Sequence, residues 1–290
     1  MAQISAALVK QLRDKTGAGM GECKKALVET DGDIDKAVDV IRSKGIKTEQ
    51  LQRAVAEGAL VLALSGDAHA VAVVELRCET DFAARNENFQ KLLQTIAKKV
   101  HELDPKTLDA AKEIPEVKEG LHEAGAITIR ENIQLYRADL RRLEGEGKIG
   151  TYVHHNGKVG VAMGVNAPAA VAGSADFDAL LRDLCMHATA HDPSPVAVDK
   201  DGIPSDLVER ERAVALATID EDEKMAGKPA DIKQKMVDGK LRKFFEERAL
   251  LEQKFVKNPE QSIAQLLAAK SKELGGEISI AWFVRQEVGA

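Results

Sequence analysis

The sequence predicts an α+β fold. Three observations carry that expectation. The N-terminus is a series of short amphipathic helices, two β-hairpins follow, and each hairpin leads through a loop into a helix of the same pattern. The 290 residues leave room for two or three domains, and a hydrophobic content of 44% is ample for a packed core.

The elements follow in chain order. Ile4, Ala7, Leu8 and Leu12 fall on one helical face, with Ser5 as its cap. Thr16-Gly17-Ala18-Gly19 breaks that helix. Met20, Cys23, Lys24 and Leu27 make a second helix, Asp31-Gly32-Asp33 is a turn, and Ile34, Ala37, Val38 and Ile41 make a third that stops before Gly45. Residues 1–45 therefore form a three-helix bundle, and residues 46–57, polar and Ala-rich, a partly helical linker.

Residues 58–145 open with a hairpin, Ala59–Leu64 and Ala70–Cys78, split by Ser65-Gly66-Asp67. Phe89, Leu92, Leu93 and Ile96 then recur at helical spacing. A long helix is expected around 128–143 from Ile129, Ile133, Tyr136 and Leu140. Residues 146–290 open with Gly150–His155 and Lys158–Val165 around Asn156-Gly157, a strong hairpin signal, followed by a helix with Phe177, Leu180, Leu181 and Leu184.

The two halves look like copies of one unit. Features common to both are scaffold, and features of one alone are candidates for function. The loop between hairpin and helix differs most. Glu79-Thr80-Asp81-Phe82-Ala83-Ala84-Arg85-Asn86 is charged and carries an aromatic. Asn166–Gly173 has neither. The second copy also holds an insertion, about 204–253. Its two polar helices carry a narrow stripe of Leu207, Ala215 and Ile219, then Ile232, Met236, Leu241, Phe244 and Phe245. Ala226-Gly227-Lys228-Pro229 joins them as a helical hairpin.

Several function classes are set aside. No apolar run approaches the roughly 18–20 residues of a membrane helix, and no signal-peptide profile opens the chain. Forty-one basic against 47 acidic residues give a net charge of −6, without the basic face of a nucleic-acid binder. Cys23, Cys78 and Cys185 form no metal or redox spacing and fit buried thiols in a reducing cytosol. His154 and His155, as neighbours in a strand, point to opposite faces and share no metal easily. His187 and His191 have chelating spacing but lack further ligands, so His187 is expected as a satisfied polar group. No nucleophile elbow, Walker loop or metalloprotease motif is present in the sequence, so no bond chemistry, cofactor or metal is expected.

Longer motifs point to a family. Lys15–Leu27 (KTGAGMGECKKAL) resembles the N-terminal signature of elongation factor Ts, and Thr80-Asp81-Phe82-Ala83-Ala84-Arg85-Asn86 its second signature. Glu131-Asn132-Ile133, Met186-His187, Gly227-Lys228-Pro229, Lys235-Met236-Val237, Gln253–Val256 and Phe283–Gly289 are similar to the family in the same order.

The resemblance implies a guanine-nucleotide exchange factor for elongation factor Tu, acting in the cytoplasm on its GDP-bound and nucleotide-free forms. The layout it implies is a bundle similar to ubiquitin-associated domains, a core of two related subdomains and a helical hairpin inserted in the second. Thr80, Asp81, Phe82 and Ala83 would displace the partner's Mg²⁺. Met20, Lys24 and His154 would be partner contacts. No direct nucleic-acid or membrane contact is implied, and dimeric assembly through the hairpin stays open. Gly21, Ala83, Arg130 and Lys254 depart from the family's usual residues, with Val usual at Ala83 and Gly at Arg130. A pure interaction protein, bridging partners without driving exchange, is the rival class.

Overall fold

The computed structural model describes residues 4–16, 18–43, 53–221 and 229–289. Most of the expected linker and the Ala226–Lys228 turn lie outside these residues.

Three helices open the chain: α1 (Ala6–Thr16), α2 (Met20–Glu29) and α3 (Ile34–Ser43). The Ser5 hydroxyl accepts the Leu8 amide at 3.2 Å, as a cap should. Leu12, Cys23, Leu27, Ala37 and Ile41 share one buried cluster. The inner face of α1 is turned toward Val9, which is buried, and the expected Ala7 faces solvent. A larger side chain wins the inner position because burial gain scales with apolar area.

The first sheet has the order β1 (Glu57–Leu64), β2 (Ala70–Cys78), β3 (Gln134–Arg142). After β2 come a single helical turn α4 (Asp81–Ala84), the long α5 (Glu87–Leu103), and α6 (Leu108–Lys112). Then α7 (Pro115–His122) runs into a π-helical turn at Glu123–Thr128. The segment expected as a helix at 128–143 is therefore mostly strand. Tyr136, expected on one face with Ile133 and Leu140, is exposed while those two pack on the core. Glu75 pairs with Arg137 and Leu76 with Leu135, so Tyr136 is an extra residue in a β-bulge. The bulge lets Leu135 and Ala138 both face inward although they are three apart, and throws Tyr136 outward under the Arg77 guanidinium, 3.3 Å from the ring centre.

The second sheet repeats the plan: β4 (Gly147–Val153), β5 (Val159–Asn166), then a single turn α8 (Ala169–Ala172) and the long α9 (Ala175–Ala190). Its third strand, β8 (Ser279–Glu287), comes from the end of the chain. Between them lie α10 (Ser205–Glu221) and α11 (Ala230–Arg248), the short pair β6 (Lys254–Phe255) and β7 (Asn258–Ser262), and α12 (Ile263–Leu274). Asp220 meets Lys233 and Arg212 approaches Asp238, so α10 and α11 run antiparallel. Ala215, Ile219, Val237 and Leu241 are buried between them in one small cluster. Ile232, expected on that stripe, is exposed, and Val237 takes the inner place.

The side chains of each strand sort onto two faces, as the pleat requires. In β2, Ala72, Val74 and Leu76 turn toward α5, where Phe89, Leu93 and Ile96 meet them. In β5, Val161, Met163 and Val165 turn toward Phe177, Leu181 and Leu184 of α9. Each large side chain gains roughly 1.5–3 kcal/mol by this burial. The opposite faces pack on each other. Leu60, Leu62, Val71 and Val73 of the first sheet meet Ile149, Ala162, Trp282 and Val284 of the second. The order of layers is helix, sheet, sheet, helix. Gly160 sits where the sheets approach, and a Cβ there would lie 2.6 Å from Leu60 Cδ1.

Candidate functional site

The charged loop of the first copy is ordered by its own chemistry. Thr80 is extended and caps α4, its hydroxyl accepting the Ala83 amide at 3.2 Å. Asn86 caps the next helix in the same way, accepting from Asn88 at 2.9 Å. Ala83 and Ala84 point inward and join the cluster around Phe89. With the inner face of this one-turn helix occupied by two methyl groups, the residue between Asp81 and Ala83 must point out. Phe82 is 82% exposed, the most exposed large hydrophobic side chain among the described residues. Asp81 is half-buried beside it and pairs with Arg85 at 3.2 Å. Of the four residues expected in the segment, Asp81 and Phe82 face outward. Ala83 is core, and Thr80 is turned to the cap.

The corresponding turn of the second copy is built alike. Val171 and Ala172 are buried where Ala83 and Ala84 are, Ser174 caps the next helix, and Pro168 stands at the place of Thr80. The outward position holds Ala170. The two copies thus share the inner pair and differ at the outer residue.

The second hairpin brings its tip to the same region. His154 and His155 belong to the turn, because β4 ends at Val153 and β5 starts at Val159. The turn is wider than Asn156-Gly157 alone, with Gly157 at φ +70°. Freed from the pleat, the two imidazoles do not point to opposite faces. Their ring centres are 4.1 Å apart, and Tyr152 Oη lies 3.4 Å from His154 Nδ1. Gly157 carbonyl accepts the Leu60 amide at 3.0 Å, and Lys158 Nζ meets Glu57 at 2.5 Å, so the tip is fastened to β1. An open groove of about 800 Å³ results, lined among others by Glu57, Asp81, Arg85, His155 and Lys158. The structure therefore brings Asp81 and His155 to one groove, which neither His154 nor Phe82 lines.

Met20 and Lys24 lie one turn apart on the outer face of α2; Met20 is 45% exposed. Helix α2 packs on α1 and α3, and these two residues do not line the groove. Gly21 between them has open space where a Cβ would stand. The bundle reaches the rest of the chain through His122, whose Nε2 is 2.6 Å from the Lys15 carbonyl.

A network the sequence did not reveal holds the loop from behind. Glu131 Oε2 accepts the amides of Glu79 at 3.1 Å and Thr80 at 3.0 Å, and Glu131 Oε1 accepts the Thr80 hydroxyl at 2.7 Å. Glu79 answers by accepting the Asn132 amide at 2.6 Å and pairing with Arg53 at 3.0 Å. Arg130 is left-handed, φ +65°, which turns the chain back so that Glu131 reaches the loop. The Cys78 thiol donates to the Thr80 carbonyl at 3.2 Å, and burial, then the nearby Glu131 charge, pushes it up to about 12. The only available signal was the motif Glu131-Asn132-Ile133, whose partner segment lies some fifty positions earlier.

His187 is the satisfied polar group expected. It is fully buried, with Nε2 3.0 Å from Gln253 Oε1 and Nδ1 accepting the Val256 amide at 3.3 Å. Burial pulls it down to about 4. All three cysteines are buried. Among the described residues no cluster of three or more His, Cys, Asp or Glu could hold a metal ion, and no helix is long and apolar enough to cross a membrane.

What sets the first copy's loop apart is thus an aromatic held in solvent on a capped, backed turn. The family model described as Elongation factor TS matches residues 79–290, starting at the loop itself. The Elongation factor Ts of a Nitratiruptor species is 37% identical over 291 residues, covering 99% of this chain and 93% of the relative. That of Maricaulis maris (strain MCS10) is 40% identical over 308 residues (100% and 93%), and that of Rickettsia bellii (strain OSU 85-389) 41% over 297 (99% and 92%). The chain belongs to the elongation factor Ts family, among the elongation factors of protein biosynthesis.

Proposed function

We propose that this chain is the guanine-nucleotide exchange factor of elongation factor Tu, as family membership implies, and that Asp81 and Phe82 are the residues that open the partner. The observation that carries the reading is the exposure of Phe82 on a turn whose counterpart presents only Ala170. Phe82 enters an apolar crevice of the partner near its Mg²⁺ site, with Asp81 beside it and Thr80 and Ala83 holding the turn's shape. Mg²⁺ requires near-ideal octahedral oxygen geometry, so a small shift of its surroundings releases it. The GDP phosphates then lose their counter-charge and GDP leaves. Coupling is reciprocal: the factor by which this chain weakens GDP is the factor by which nucleotide weakens the chain's own binding. GTP therefore displaces it. No bond is made or broken in the chain.

Met20 and Lys24 make a second contact from the bundle, and His154 a third from the hairpin tip, in the cytoplasm where translation runs. The helical hairpin offers a surface for dimeric assembly. The test is release of a fluorescent GDP from elongation factor Tu with and without the chain. Acceleration is expected, and Asp81→Ala is expected to slow it with the fold intact. Release that is unchanged at saturating chain refutes the reading.

A further inference from the structure

We infer that Glu131 is a positioning residue for Phe82, holding the loop in the shape in which it meets the partner. The inference rests on the exchange reading above and deepens it. One carboxylate takes three hydrogen bonds from two consecutive residues of the loop, the Glu79 and Thr80 amides and the Thr80 hydroxyl. Bonds to an ionised acceptor are about twice as strong as neutral ones. The hydroxyl serves two roles at once. It donates to Glu131 Oε1 and so keeps its lone pairs aimed at the Ala83 amide that it caps. Glu131 thereby fixes the orientation of the cap, and through it the turn that carries Phe82. Glu79 returns the contact one residue on, its carboxylate accepting the Asn132 amide.

The clasp belongs to one copy alone. At the places of Glu79 and Thr80 the second copy has Ala167 and Pro168, and Pro168 offers neither an amide proton nor a hydroxyl. There Glu146 makes two bonds instead, its carboxylate accepting the Ala169 amide and its carbonyl the Ala167 amide, each at 3.2 Å, and neither orients a capping hydroxyl. Scaffold is shared between the copies, and the clasp is not. An exposed aromatic on a wandering loop would have to be ordered at the moment of binding, at a cost to the step it drives. Held in advance, it spends that binding on the partner.

The test uses the full chain with Glu131→Ala, Glu131→Gln, Phe82→Ala and the double variant Phe82→Ala/Glu131→Ala, in fluorescent GDP release from elongation factor Tu. Glu131→Ala is expected to lower the maximal release rate roughly tenfold while the half-saturating concentration moves less than about threefold, because orientation is lost and the other contacts stay. Amide exchange in residues 78–84 is expected to quicken. In the Phe82→Ala background the second substitution is expected to slow release far less than in the wild type, since only Asp81 is then left on the turn to place.

Equal slowing by Glu131→Ala in both backgrounds overturns the inference. If Glu131→Ala lowers the melting temperature enough to unfold part of the sample, Glu131→Gln carries the test. It keeps the volume, and unchanged release alongside faster amide exchange overturns the inference. Phe82→Ala matching wild type removes the inference but leaves exchange activity standing, whereas a wild-type chain that does not accelerate release removes the function itself.

Discussion

Phe82→Ala separates folding from function by an amount that follows from exposure. With 82% of the residue in solvent, the ring contributes little to its own fold. A fully buried Phe gains roughly 1.5–3 kcal/mol, so the covered fifth is worth at most about 0.5 kcal/mol. The melting temperature is expected to move by about 2 °C or less. The uncovered four-fifths remain available on entering an apolar crevice, roughly 1.2–2.5 kcal/mol. At about 1.4 kcal/mol per tenfold, release driven by the variant is expected to be roughly 7- to 60-fold slower. The assay is the fluorescent GDP release, run beside a thermal melt and circular dichroism. Two results refute the reasoning. Unchanged release means that the exposed ring is not used. A melting temperature lowered by several degrees means that the ring packs on its own chain.

Other expectations concern stability and reactivity. Arg130→Gly relieves a left-handed backbone at a cost in chain entropy, roughly 1–2 against 0.5–1 kcal/mol, so a rise in melting temperature of a few degrees is expected, and a fall refutes the strain. Burial holds His187 neutral down to about pH 4, while in the unfolded chain it takes a proton near 6.5. The unfolded state then binds more protons, so this contribution is whole above about pH 6.5 and is lost as pH falls toward 4. His187→Gln is expected to flatten the melting curve's pH dependence between 6.5 and 5, and an unchanged slope counts against it. Cys78 and Cys185 are each pushed up to about 12 by burial, and Cys23 is raised by burial as well. A thiol reagent at pH 8 is expected to leave the native chain unlabelled and to label three sites in denaturant.

Much of this could be read ahead of the structure where a pattern is local. The hairpins, the apolar faces of α5 and α9, and the odd loop at Phe82 all follow from neighbours a few residues apart. Failure came where a distant strand decides. The bulge at Tyr136 gives β3 the spacing of a helix, and only its pairing with β2 shows why. His154 and His155 were assigned to a strand because the turn's width depends on its bond to β1, made by Leu60. Glu131 was visible as part of a motif, but its purpose is a contact with a segment far away in the chain. An aromatic at the foot of a helix suits a core anchor as well as a surface position, and its two small neighbours, Ala83 and Ala84, leave it in solvent because they fill the inner side of the turn.

The face-to-face sheets set a mechanical limit on the molecule. Leu60 and Gly160 are in contact at the seam, and the hairpin tip is bonded to β1 on one side of it while the Phe82 turn grows from β2 on the other. Both are tied to one strand: β1 pairs along its length with β2, from which the Phe82 turn continues, and its Leu60 amide and Glu57 carboxylate hold the hairpin tip that carries His154. Under the proposed reading, a partner that meets both side chains pulls on a single strand.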